Sequence, residues 1–130
     1  MFEQVRWLRV VITAFLIEVG LIVTTLPFVP LVGQALVFSV VVPAACIVVP
    51  FVVTFFAMRP LPAARALNGL LTGLVATVMY CVLVVGSSSV DETIAAYGSL
   101  AMVAGVNVLR IASATAGGYF ADRRAVPSAA

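Results

Sequence analysis

Four apolar runs, at residues 7–26, 31–57, 67–85 and 94–120, dominate this chain, and each is long enough to cross a bilayer as a helix. About 20 residues, rising about 1.5 Å each, cross roughly 30 Å of hydrocarbon. In that medium every backbone polar group must be satisfied within the spanning structure, which leaves helices as the solution for runs of this length. The runs therefore predict an all-α polytopic membrane protein: a single transmembrane domain over residues 1–130, built as an antiparallel bundle of four transmembrane helices. Composition agrees, with 64% hydrophobic and 9% charged residues, against about 45–50% and about 25% in soluble domains. A chain of 130 residues is too short to enclose so much apolar surface in a water-soluble core.

The breaks between runs are marked by residues that interrupt a helical ladder. Pro27-Phe28-Val29-Pro30 is expected to end the first span, Arg59-Pro60-Leu61-Pro62 the second and Gly86-Ser87-Ser88-Ser89 the third. Ser89 and Glu92 have the spacing of a capping box, and Asp91 adds negative charge at a helix N-terminus, so the fourth helix should start there. The first run carries Glu18 and reaches Leu26-Pro27 without a small-residue cleavage pattern, so it reads as a retained span rather than a secretory signal.

Outside the spans, the arginines sort to one side. Arg6 and Arg9 precede the first span, Arg59 and Arg65 flank the second connection, and Arg123 and Arg124 follow the fourth span. The positive-inside rule then puts both termini in the cytoplasm, with Asp91 and Glu92 outside, in a cell membrane expected to be the bacterial inner membrane. Trp7 and Tyr119 would lie in the cytoplasmic aromatic belt. The net charge of +2 is no nucleic-acid footprint. The tail at residues 125–130 is short and is expected to fray.

Against this apolar background Glu18 and Arg110 stand out, because a charge deep in a membrane span is costly without a partner. By helical rise Glu18 lies ~16 Å from Trp7 and Arg110 ~14 Å from Tyr119, so the two share a depth. They are expected to form an intramembrane ion pair between neighbouring first and fourth spans. Asn107, Ser113 and Gly117 fall on the Arg110 face; Ala14 and Thr25 fall on the Glu18 face. In the second span Ser39, Pro43, Cys46, Pro50 and Thr54 share one face, which should be kinked. Pro50 frees the carbonyl of Cys46 near the depth of the charges, and that carbonyl is an expected acceptor for Arg110.

Small residues mark the expected packing seams. Gly69, Gly73, Thr77 and Cys81 recur every four residues in the third span. Gly98, Ala101, Gly105, Ala112 and Ala116 form a comparable set in the fourth, and the two spans are expected to pack there. Such stripes serve either within one bundle or between copies in a homo-oligomer.

Chemistry is sparse. There is no histidine, and Ser39, Cys46 and Cys81 have no histidine or lysine base to activate them, so no catalytic residues are expected. The two cysteines lack metal-site or redox spacing, and no metal or cofactor is expected. The expected partners are the lipid bilayer and either further copies of the chain or a larger membrane complex. The charge pair reads either as a lock that fixes which helices meet, or as a proton or cation site. An arginine beside Glu18 stabilises its carboxylate, which weighs against simple proton exchange.

The segment Ala14-Phe15-Leu16-Ile17-Glu18-Val19 resembles the first helix of small multidrug resistance transporters, four-helix proteins of similar length with an essential glutamate in that helix. That resemblance implies a substrate carboxylate at Glu18 and a small proton- or cation-coupled transporter. Over its whole topology the chain is similar to small uncharacterised bacterial four-helix membrane proteins, through its Trp7-Leu8-Arg9-Val10 entry and its Gly117-Gly118-Tyr119-Phe120-Ala121-Asp122-Arg123 exit. This second likeness implies no activity. The packing stripes, short connections and sparse chemistry fit a structural or accessory subunit, or a homo-oligomer, without catalysis, and that is the expected function.

Overall fold

The first helix, α1 (Trp7–Val32), runs through Pro27 and Pro30 instead of ending before them. The computed structural model describes residues 2–124, so the expectation for 125–130 falls outside it. Around the prolines the helix tightens into a 3₁₀ turn over Leu26–Phe28 and resumes over Val29–Val32. Each proline is the second residue of its short segment, where the fixed φ suits a helix, and the Leu26 carbonyl, which Pro30 cannot bond, accepts from the Val29 N–H instead. The break comes at Gly33, whose φ of +87° and ψ of 153° are reserved for glycine. The second helix, α2 (Gln34–Met58), begins at the next residue. The chain thereby folds back within a single residue, bringing Gly20 against Val49 and Arg9 against Ala57.

The second helix also absorbs its prolines. Pro43 cannot donate to the carbonyl one turn behind it, and the ladder widens into a π-turn over Val37–Val41 just before it. Pro50 lies inside the helix and is buried. Of the expected polar face, Cys46, Pro50 and Thr54 are buried and Pro43 is half-buried, while Ser39 is exposed near the helix start.

Next come α3 (Arg65–Ser87), a short α4 (Val90–Tyr97) and α5 (Leu100–Arg124). The Ser89–Glu92 capping box forms, with Ser89 Oγ accepting from the Glu92 N–H (3.1 Å) and Glu92 Oε2 accepting from the Ser89 N–H (3.3 Å). It starts α4 rather than the fourth span. Gly98, at φ +91°, ends α4, and Ser99 Oγ then accepts from the Met102 N–H (3.2 Å) at the start of α5. The fourth span thus begins at Leu100, not at residue 94, because a left-handed glycine separates the two helices.

Packing is most extensive between α5 and each of α2 and α3, and α1 packs on α3 and α2. Among the described residues α1 and α5 have no extended contact, so the expected neighbours lie across the bundle from each other. Close approach depends on glycines at two seams. A Cβ at Gly69 would sit 2.6 Å from the Ala114 carbonyl oxygen, and one at Gly73 would sit 2.7 Å from the Ile111 Cα. On the other side of α5, a Cβ at Gly117 would meet the Phe51 carbonyl oxygen at 2.5 Å. Van der Waals contact of this kind drives helix association in lipid, where apolar burial itself gains little.

The expected seam on the fourth span is corrected. Gly98 is a helix terminator, and Gly105, Ala101 and Ala112 face outward, with nothing within 4 Å of a Cβ at Gly98 or Gly105. The face of α5 that meets α3 carries Ile111, Ala114 and Gly118 instead. On α3, Thr77 is half-buried and Cys81 is exposed, so the seam is held by Gly69 and Gly73. Large apolar side chains cover the outside of the bundle, among them Leu8 (76% exposed), Leu31 (75%) and Val85 (73%). Faces of this kind suit lipid, and water would not tolerate them in a monomer.

Candidate functional site

Arg110 Nη1 lies 3.3 Å from Glu18 Oε1 in the middle of the bundle, with side chains 3% and 8% exposed. The arginine is aimed by its own helix. Asn107 Nδ2 donates to the Val103 carbonyl (2.9 Å), which turns Asn107 Oδ1 toward Arg110 Nη1 (3.2 Å). The Arg110 guanidinium carbon stands 4.6 Å from the centroid of the Tyr80 ring on α3, a cation–π contact that strengthens where water is excluded. Cys46 on α2 is fully buried beside the pair. Each of the four spans therefore contributes to this centre: Glu18, Cys46, Tyr80, and Arg110 with Asn107.

The expected route from Arg110 to the Cys46 carbonyl is not used. Among the described residues the guanidinium is engaged by Glu18, Asn107 and Tyr80, and it makes no hydrogen bond to the Cys46 backbone. Ser113 is buried on the Arg110 side of α5, and Pro50 is buried one turn along from Cys46, but neither touches the charges through a hydrogen bond. The helix-packing residues Gly69 and Gly73 belong to the α3–α5 seam and Thr77 is half-buried one turn further on, while Gly98 and Gly105 stand apart from the centre.

The Glu18–Arg110 contact is an ion pair without hydrogen-bond alignment: Glu18 Oε1 and Arg110 Nε are both buried and form no hydrogen bond. In a low-dielectric interior such a pair holds two helices that do not otherwise pack against each other, because separating the charges exposes each one to hydrocarbon.

Tyr80 and Asn68 were not anticipated. Asn68 is fully buried and ties the chain entry to α3: its Oδ1 accepts from the Arg6 N–H (2.9 Å), and its Nδ2 lies within hydrogen-bond reach of the Ala64 carbonyl (2.8 Å) and the Gln4 carbonyl (3.3 Å). The signal was present in the third span, where Asn68, Thr72, Ala76 and Tyr80 recur every four residues alongside the glycine stripe. Comparison with protein-family models, curated proteins and solved structures finds no match to this chain.

Proposed function

We propose that the chain is a non-catalytic structural or accessory membrane protein whose central ion pair locks one arrangement of its four spans. In this reading the spans run antiparallel, both termini and the Arg59–Arg65 connection face the cytoplasm, and the protein acts by assembling with lipid and with other copies or a larger complex. On this reading it is grouped with the small bacterial four-helix membrane proteins whose topology it resembles. The observation that carries the reading is the closure of Arg110 on Glu18, with all four spans contributing to one buried centre.

The rival reading is a small proton- or cation-coupled transporter that uses Glu18. It draws on Glu18 Oε1 and Arg110 Nε, buried atoms with unused hydrogen-bonding capacity. Transport would require a water path to that carboxylate, yet neither Glu18 nor Arg110 lines any of five cavities along the bundle. The test is an imposed pH or cation gradient across vesicles holding the purified protein. Dissipation no faster than in empty vesicles is expected. Dissipation that is accelerated by the wild type and lost in Glu18→Gln would replace the structural reading with transport.

A further inference from the structure

The basic end of the bundle holds a site that the central pair does not explain. Contacts bring the arginine-bearing helix ends together there: Arg9 Nη1 donates to the Ala57 carbonyl (2.7 Å), Arg65 Nε donates to the Met58 carbonyl (3.2 Å), and Arg65 Nη1 pairs with Asp122 Oδ1 (3.0 Å). Between the start of α1 and the end of α2 lies a cavity of about 830 Å³. Arg6, Trp7 and Arg9 line it at the start of α1, and Leu8, Ile12 and Leu16 carry its wall along the same helix toward the bundle centre. Their spacing puts the two guanidinium stems and the apolar stripe on adjoining strips of one helix surface.

Two features make this more than a basic patch. Among the described residues, the arginines with a carboxylate within ion-pair distance are Arg65 and Arg110, so the charges of Arg6 and Arg9 have none. Glu3 lines a smaller adjoining cavity with Arg6 and makes no ion pair with it. Arg9 Nη1 is held by the Ala57 carbonyl, and the Arg6 backbone is held by Asn68, so one cation is positioned and the root of the other is fixed before any ligand arrives. Leu8, Ile12 and Leu16 are 76%, 50% and 49% exposed, an apolar track that leads directly away from the charges.

We propose that this cavity binds one anionic phospholipid, its phosphate between Arg6 and Arg9 and one acyl chain along Leu8, Ile12 and Leu16. A zwitterionic lipid brings no net charge to the two arginines, and free phosphate leaves the apolar track uncovered. The volume lies within the roughly 300–1,000 Å³ typical of ligand sites. Basic clefts between spanning helices are suited to anionic headgroups, each nearby arginine adding about fivefold in affinity. The site rests on the membrane-embedded reading of the chain.

Trp7 is the only tryptophan and lines the cavity, so it reports occupancy directly. The full-length protein is reconstituted in phosphatidylcholine vesicles containing equal small fractions of either brominated phosphatidylglycerol or brominated phosphatidylcholine, and Trp7 quenching is compared. The anionic quencher is expected to act more strongly. Arg6→Gln, whose side chain has no protein partner among the described residues, should cut that preference about fivefold, and Arg6→Gln with Arg9→Gln should abolish it. Arg123→Gln with Arg124→Gln removes the same charge at the same end and should leave the preference intact. Equal quenching by the two lipids overturns the site. So does a preference that falls as much in the Arg123/Arg124 variant, which would mark a general surface attraction. Absence of quenching by either lipid overturns the membrane-embedded reading itself.

Discussion

Arg110 meets Glu18 across the bundle at 3.3 Å although the helices that carry them do not pack side by side. The long guanidinium side chain spans the interior, and Asn107 and Tyr80 hold it on course. Stability therefore depends on a contact that backbone packing alone does not supply.

Replacing Arg110 with alanine should destabilise the protein by about 3–5 kcal/mol, since it leaves Glu18 buried without its partner. The double change Glu18→Gln, Arg110→Gln should recover part of that loss. Unfolding by denaturing detergent from a lipid-like host measures both, and strictly additive single effects would rule the pair out as a stabilising interaction.

The Tyr80 ring should matter more than its hydroxyl. Tyr80→Leu is expected to cost about 0.5–2 kcal/mol through the lost cation–π contact, whereas Tyr80→Phe keeps the aromatic face over which Arg110 sits. A double-mutant cycle with Arg110 isolates the term. A coupling energy near zero would leave Tyr80 as ordinary packing.

Gly73 and Gly105 make a matched contrast. A side chain at Gly73 runs into the Ile111 Cα of α5, whereas one at Gly105 enters open space. Gly73→Ile should lower the thermal midpoint markedly, with a cost of at least about 1–3 kcal/mol for forced overpacking, and Gly105→Ile should leave the monomer unchanged. If Gly105→Ile alters oligomer size by analytical ultracentrifugation, the outward face of α5 is an interface between copies.

At Gly33 the backbone is the constraint. Gly33→Ala should cost about 1–3 kcal/mol, because φ +87° with ψ 153° is closed to a residue bearing a Cβ. Pro27→Ala should change stability far less, since the helix continues through that position. Equal effects at the two sites would mean that the reversal depends on Pro27 after all.

Asn68→Leu should destabilise by about 1–3 kcal/mol, as it takes the side-chain partner from the Arg6 N–H and the Gln4 carbonyl, while the Ala64 carbonyl keeps the backbone N–H of residue 68. Raised protease sensitivity at the Gln4–Arg6 entry, together with the lower midpoint, would show that Asn68 anchors this segment. An unchanged cleavage pattern would argue against it.

The sequence by itself marked the four spans through hydropathy, the shared depth of Glu18 and Arg110 through helical rise, and the Ser89–Glu92 cap through residue spacing, because each depends on residues close together in the chain or on a simple rise per residue. Tertiary structure decided that α1 stands opposite α5, that Tyr80 sits beneath Arg110, and that Gly105 looks outward while Gly73 looks inward. In a soluble helix the polar face would have revealed which side turns to the core. Here both sides are apolar, so the small residues of Gly69–Gly73 and Ala101–Gly105 read alike until their neighbours are known. The turn at Gly33 was obscured for a related reason: prolines are punctuation in most contexts, but in the first turn of a new helical segment they continue the chain, and only the backbone geometry distinguishes the two.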